Sequence, residues 1–281
     1  MKKVLLTLTF WLGIAIGAAQ GAPIGLPTGP LFIQFQNFEQ ISPTAGSGTE
    51  NAWGIVQVRQ ISTGIVIIPN SEIAGNVSFF DGTSATGPQV TGMFYGLNAT
   101  TCTSTPLCSS GGLLDLYWDD PSGTIVTWDS AILTPALRTG VSTYTGITDG
   151  TFLARLAFAS GADAANGGIT LTGDVIPSST GFSGVANGFL NVDVTAGGAW
   201  ANTLNGDWFN TVFGTRDFKF KNSYIGPLAS WTGANALGAF STDPVQAFAV
   251  PEPGTVALVG LAMAIAGGLA RRRRSGEGSA V

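Results

Sequence analysis

Leu31-Phe32-Ile33-Gln34-Phe35-Gln36-Asn37-Phe38 places Ile33 and Phe35 on one face and Gln34 and Gln36 on the other. Such a period of two is the mark of a half-buried β-strand. Trp53 to Ile61 repeats it, setting Val56, Val58 and Gln60 against Ile55, Gln57 and Arg59. Further strand-like runs are Gly64–Ile68, Val77–Phe80, Gly92–Leu97, Leu113–Trp118 and Thr124–Leu133. After these come Thr151–Phe158, Ile169–Ile176, Phe189–Thr195, Asp217–Tyr224 and Val245–Ala249. Turn formers separate them at Asp81-Gly82, Asp120-Pro121-Ser122-Gly123, Asp149-Gly150, Asn166-Gly167-Gly168, Asn187-Gly188 and Asn205-Gly206.

Many short strands at this spacing predict a mainly β domain, a jelly-roll-like β-sandwich, rather than βαβ units. Low Lys, Glu and Met with abundant Gly, Thr, Ser, Asn and Val suit strands and tight turns better than helices. Pro135–Gly140 and Trp231–Phe240 are read as short helices at most, and no fixed-period repeat favours a solenoid. Asp217-Phe-Lys-Phe-Lys-Asn-Ser-Tyr224 alternates apolar and charged residues, which predicts an edge strand protected by Lys219 and Lys221. The ectodomain is placed at residues 23–243, a length ample for one core.

Both chain ends read as sorting signals. Met1-Lys2-Lys3 and the apolar stretch Val4–Ile16 form a secretory signal peptide ending by residue 21. Cleavage after Ala19 and cleavage after Gly21 both satisfy the small-residue rule. At the other end, residues 244–253 read as a linker containing Pro251-Glu252-Pro253. An uncharged stretch, Gly254–Ala270, then runs for roughly 25 Å as a helix, enough to cross a bilayer core at its short end. Arg271, Arg272, Arg273 and Arg274 open a basic tail, residues 271–281, held in the cytoplasm by the positive-inside rule.

Between Pro23 and Val250 stand six basic and fifteen acidic residues, a net charge of −9. Such a surface repels phosphate backbones, which argues against nucleic-acid binding. With no histidine in the chain, Ser-His-Asp and Cys-His catalysis and His-based zinc sites are excluded. Asp115, Asp119, Asp120 and Asp129 form the densest acidic cluster. Asp119-Asp120-Pro121-Ser122-Gly123 is first a turn. A Ca²⁺ loop using Asp115, Asp119 and Asp120 is the weaker alternative, and no other cofactor is indicated. Cys102 and Cys108, close together in an exported chain, are expected to form a disulfide. Tryptophans are expected mostly in the core. Trp200 and Trp208, in a Gly/Asn-rich stretch, are the candidates for exposure and for stacking on a sugar ring.

Residues 250–274, about a tenth of the chain, resemble the PEP-CTERM sorting domain of Gram-negative bacteria: Pro251-Glu252-Pro253, an apolar span, then the arginine cluster. The same tail is also described as an ice-binding-protein C-terminal domain, a label that concerns the tail alone. The resemblance implies export by the Sec route, an inner-membrane precursor, and exosortase as processing partner. It further implies delivery to the cell surface or matrix and an association with exopolysaccharide and biofilm. The expectation is therefore a non-enzymatic surface or matrix protein. The alternative is a carbohydrate-binding module, calcium-dependent if the Asp loop binds metal.

Overall fold

The computed structural model describes residues 23–250 apart from 85–86, 103–106, 120–145 and 233–236. The expected signal peptide, Thr124–Leu133, Pro135–Gly140, the membrane span and the arginine tail lie outside the described residues. Among those described, no helix is long and apolar enough to cross a membrane.

The protein is mainly β. The strands are β1 (Gly29–Ile41), β2 (Glu50–Ile68), β3 (Glu72–Asp81), β4 (Gln89–Ala99), β5 (Leu107–Asp119) and β6 (Thr151–Ala159). They continue with β7 (Leu171–Gly173), β8 (Ile176–Ser178), β9 (Gly181–Val192), β10 (Phe209–Thr211), β11 (Gly214–Arg216), β12 (Phe218–Gly226) and β13 (Leu237–Ala249). One four-residue helix, α1 (Ala201–Leu204), lies between β9 and β10.

The strands of the wall follow one another in chain order, β2, β4, β5, β6, β9, β12, β13. β13 then pairs with β1 from Gly29↔Ala249 to Ile41↔Leu237, and β1 pairs with β2 from Leu31↔Thr63 to Ile41↔Ala52. The sheet therefore closes on itself as an up-and-down barrel of eight strand positions, β7 taking over from β6 along β9. An even number of positions lets the first and last strands meet antiparallel, and closure leaves β1 and β13 with no free edge; β3, paired only with β2, remains an edge strand outside the closed wall.

The expected sandwich is thus corrected. A sandwich leaves its edges unbonded, whereas β1 is hydrogen-bonded on both sides along its length. Three further expectations change for related reasons. Asp217–Tyr224 is not an edge, because β12 pairs with β9 on one side and β13 on the other. Trp53–Ile61 and Gly64–Ile68 are one strand, β2, whose far half also carries β3. Residues 244–249 are no linker but the last turns of register between β13 and β1.

Inward faces follow the period of two. β12 points Phe218, Phe220, Asn222 and Tyr224 inward, and β9 points Phe182, Gly184, Ala186, Gly188 and Leu190 inward. The Asn187-Gly188 pair, expected as a turn, sits in mid-strand opposite Phe220. A Cβ at Gly188 would lie 2.4 Å from the Phe220 ring, so glycine here makes room for an aromatic neighbour across the wall. Barrels of this size alternate small and large residues for that purpose.

The end of the barrel where β1 begins and β13 finishes is plugged by Trp200 and α1. Trp200 is buried and its indole N–H donates to the Ile24 carbonyl at 2.8 Å. A second, smaller core lies outside the wall, where Phe38, Trp53, Ile55 and Met93 are covered by Ile147 and Trp231.

Candidate functional site

Asp115 belongs to the densest acidic cluster of the sequence. Asp115 on β5 and Arg155 on β6 are register partners on the outer face of the wall. Arg155 grips the carboxylate with both arms, Nε to Oδ1 at 2.7 Å and Nη2 to Oδ2 at 2.8 Å. The Tyr95 hydroxyl of β4 donates to Oδ2 at 3.0 Å and accepts from Arg155 Nη2 at 3.2 Å. Burial, with the Asp115 charge behind it, pushes the Tyr95 phenol up to about 12. The hydrogen bond to Asp115 holds the Arg155 guanidinium above its ordinary value.

Both oxygens of Asp115 are therefore engaged in a cross-strand clamp, which removes it as a metal ligand. Asp119 lies four residues further along the same strand, about 13 Å away at the usual rise, so the two do not converge. Asp120 and Asp129 lie outside the described residues. Among the described residues no group of three or more acidic or cysteine side chains converges as a metal site.

The sugar-stacking candidates fare no better. Trp200 is 3% exposed, so its expected exposure is corrected: it is the barrel's plug. Trp208 is half-buried and stacks flat on Phe248, with ring centroids 4.1 Å apart and planes 12° from parallel. Trp53, Trp118 and Trp231 are buried, as expected of core tryptophans. Cys102 and Cys108 form the expected disulfide. The closed loop is short, so reduction is expected to cost about 2 kcal/mol. Denaturant midpoints with and without reductant check this value.

The interior is where polar groups meet an apolar wall. A cavity of about 90 Å³ runs inside the barrel, lined mostly by Leu, Ile, Val and Phe side chains. Against that background stand Asn37 and Glu39 from β1 and Asn222 from β12. All three are buried, at 1%, 5% and 7% exposure. The Ser241 hydroxyl of β13 donates to Asn37 Oδ1, and Asn222 Nδ2 donates to Glu39 Oε1 at 3.3 Å. Tyr224, one inward position beyond Asn222, donates its hydroxyl to the Asp174 carbonyl. Burial first, then the Glu39 and Asp174 charges, raises its phenol pKa. Among the described residues, Asn222 Oδ1 has no hydrogen-bond partner. Nothing in the sequence singled out this group. Its members lie on strands up to 204 residues apart, and alone each looks like one polar residue within a strand.

The start of β1 and the end of β13 are also brought together. Gly29 at the start of β1 is paired with Ala249 at the end of β13, so both strand ends lie at the plugged end. The Val250 amide donates to the Thr203 carbonyl of α1 at 2.7 Å, tying the exit point to the plug. Pro251-Glu252-Pro253 follows at once in sequence, outside the described residues.

Comparison with curated proteins and with solved structures returns no match. Residues 249–274 match the PEP-CTERM protein-sorting motif, a segment that begins at the last residue of β13. That motif is the mark of exported, surface-directed proteins handled by exosortase, and this chain carries it directly behind a closed β-barrel ectodomain.

Proposed function

We propose that the chain is a non-enzymatic protein of the cell surface or extracellular matrix, delivered as a folded barrel and released or re-anchored by exosortase. The observation that carries this reading is the junction: the sorting motif starts where β13 ends. The barrel would stand on the membrane through its plugged end in the Sec-exported, inner-membrane precursor, with the disulfide at the far end. Extracellular polysaccharide is the proposed setting and partner, with a contribution to biofilm. A catalytic role finds no support in the residue inventory, since the chain has no histidine and Asp115 is committed to Arg155. The acidic surface keeps such a protein soluble outside the cell.

The test is the intact mass of the native protein from cells with and without exosortase. Loss of the C-terminal segment only where the enzyme is present supports the reading; an intact tail in both strains leaves a plain membrane anchor and removes the biofilm inference. A second expectation concerns stability. Because Val250 still bonds Thr203 after truncation, removing 251–281 should move the melting temperature by less than about 2 °C. A large fall on truncation would show that the tail belongs to the fold.

A further inference from the structure

We propose that the barrel interior is a binding site for a small apolar molecule carrying one hydrogen-bond donor: a single aromatic ring or short aliphatic chain with one O–H or N–H. The inference goes beyond the sorting reading and does not depend on it. Three observations carry it.

The first is space. An eight-stranded barrel lies at the size where the interior either fills with side chains or holds one small ligand. Here inward Ala52 and Ala186 leave it unfilled, and about 90 Å³ remains. A water needs roughly 10–15 Å³ by this measure, so the space accepts several heavy atoms.

The second is the wall. Phe35, Val56, Phe94, Leu116, Leu156 and Phe220 present carbon on most sides, which suits an apolar body better than a cluster of water.

The third is the polar pole. Glu39 Oε1 takes the Asn222 amide N–H, so the amide is oriented with Oδ1 away from that oxygen. Asn222 lines the cavity, and its Oδ1 is buried and lacks a partner among the described residues. A buried amide oxygen without a donor is costly, and a ligand O–H or N–H removes the cost. Asn37 does not compete for the same donor, because its own oxygen already accepts from Ser241. The pole therefore asks for a donor, and the walls ask for an apolar body.

The test titrates the exported protein recovered from cells with phenol and with toluene, by calorimetry and saturation-transfer NMR. These probes share a ring and differ by the donor. Both should bind, phenol about tenfold more tightly. Asn222→Leu should erase phenol's advantage while toluene binding stays within about twofold. Ala186→Leu, an apolar exchange that fills the cavity, should weaken both probes by about tenfold or more. No binding of either probe to the cooperatively melting wild-type protein overturns the proposal. Equal binding of phenol and toluene overturns its donor requirement, and wild-type affinity in Ala186→Leu overturns the location. If Asn222→Leu fails to fold, the wild-type phenol-to-toluene ratio and Ala186→Leu still decide the matter.

Discussion

Replacing Arg155 by Leu is expected to destabilise the protein by about 3 kcal/mol, the lower end of what removing one partner of a buried pair costs. Asp115 is the reason. Its side chain is 3% exposed while that of Arg155 is 32% exposed, so the deletion strands the buried member. Only the Tyr95 hydroxyl would remain on the carboxylate. For a domain of this size the loss corresponds to a melting temperature lower by about 6–12 °C. The double change Asp115→Leu with Arg155→Leu should recover most of it, because an apolar pair of similar volume carries no desolvation penalty. Urea midpoints of the wild-type, single and double variants measure both effects. A single-variant loss below about 1 kcal/mol would mean that water reaches Asp115 and that the clamp is a surface pair.

The same cluster sets an alkaline limit. Tyr95 titrates near 10 when unfolded and at about 12 when folded. Between those values the folded state holds the extra proton, so stability is complete below pH 10 and falls as pH rises towards 12. Tyr95→Phe should flatten that fall. Tyr117 and Tyr224, also raised by burial, keep part of it in the same direction.

Trp231→Ala should cost about 3–5 kcal/mol, the range for emptying a buried indole site. Trp231 is fully buried on the outer side of the wall, its ring 5.1 Å from Trp53 and 6.3 Å from Phe38. Its carbonyl also accepts from the Gln40 side chain, which in turn accepts from the Trp53 indole at 3.0 Å. The second core would lose its lid, and β1 and β2 their external support. Trp231→Phe should behave differently. The Trp231 indole N–H is buried and has no partner among the described residues, so losing it removes an unpaired donor along with some packing. A cost below about 2 kcal/mol for Phe, against the larger loss for Ala, is the expected pattern in denaturant melts. Equal costs would place the contribution in the N–H rather than the ring.

Much of this architecture could be read along the chain. The alternation in Leu31–Phe38 and Trp53–Ile61 marks β1 and β2, because a half-buried strand shows its period within one short window. The cysteine pair needed only proximity and an exported context. The sorting motif needed only its own order of triplet, apolar run and arginines. Trp231–Phe240, read as a short helix at most, splits instead into one 3₁₀ turn, Ala229–Trp231, and the start of β13 at Leu237. The Lys219/Lys221 alternation suggested an edge. In the barrel a strand with one face to solvent shows that pattern even when paired on both sides.

What the sequence alone determined is local: strands of period two, a disulfide, an acidic ectodomain without histidine chemistry, and a sorting segment at the end. Sandwich or barrel was decided only in three dimensions. Alternation is identical in both, and the choice rests on whether β13 finds β1, a pairing between segments at opposite ends of the ectodomain. The clamp at Asp115 and the polar pole inside the barrel were decided in the same way. Arg155 stands 40 residues from Asp115, and Glu39 stands 183 residues from Asn222. Hydrogen bonds act over about 3 Å of space and carry no trace of distance along the chain, so only the closed sheet could bring these groups together.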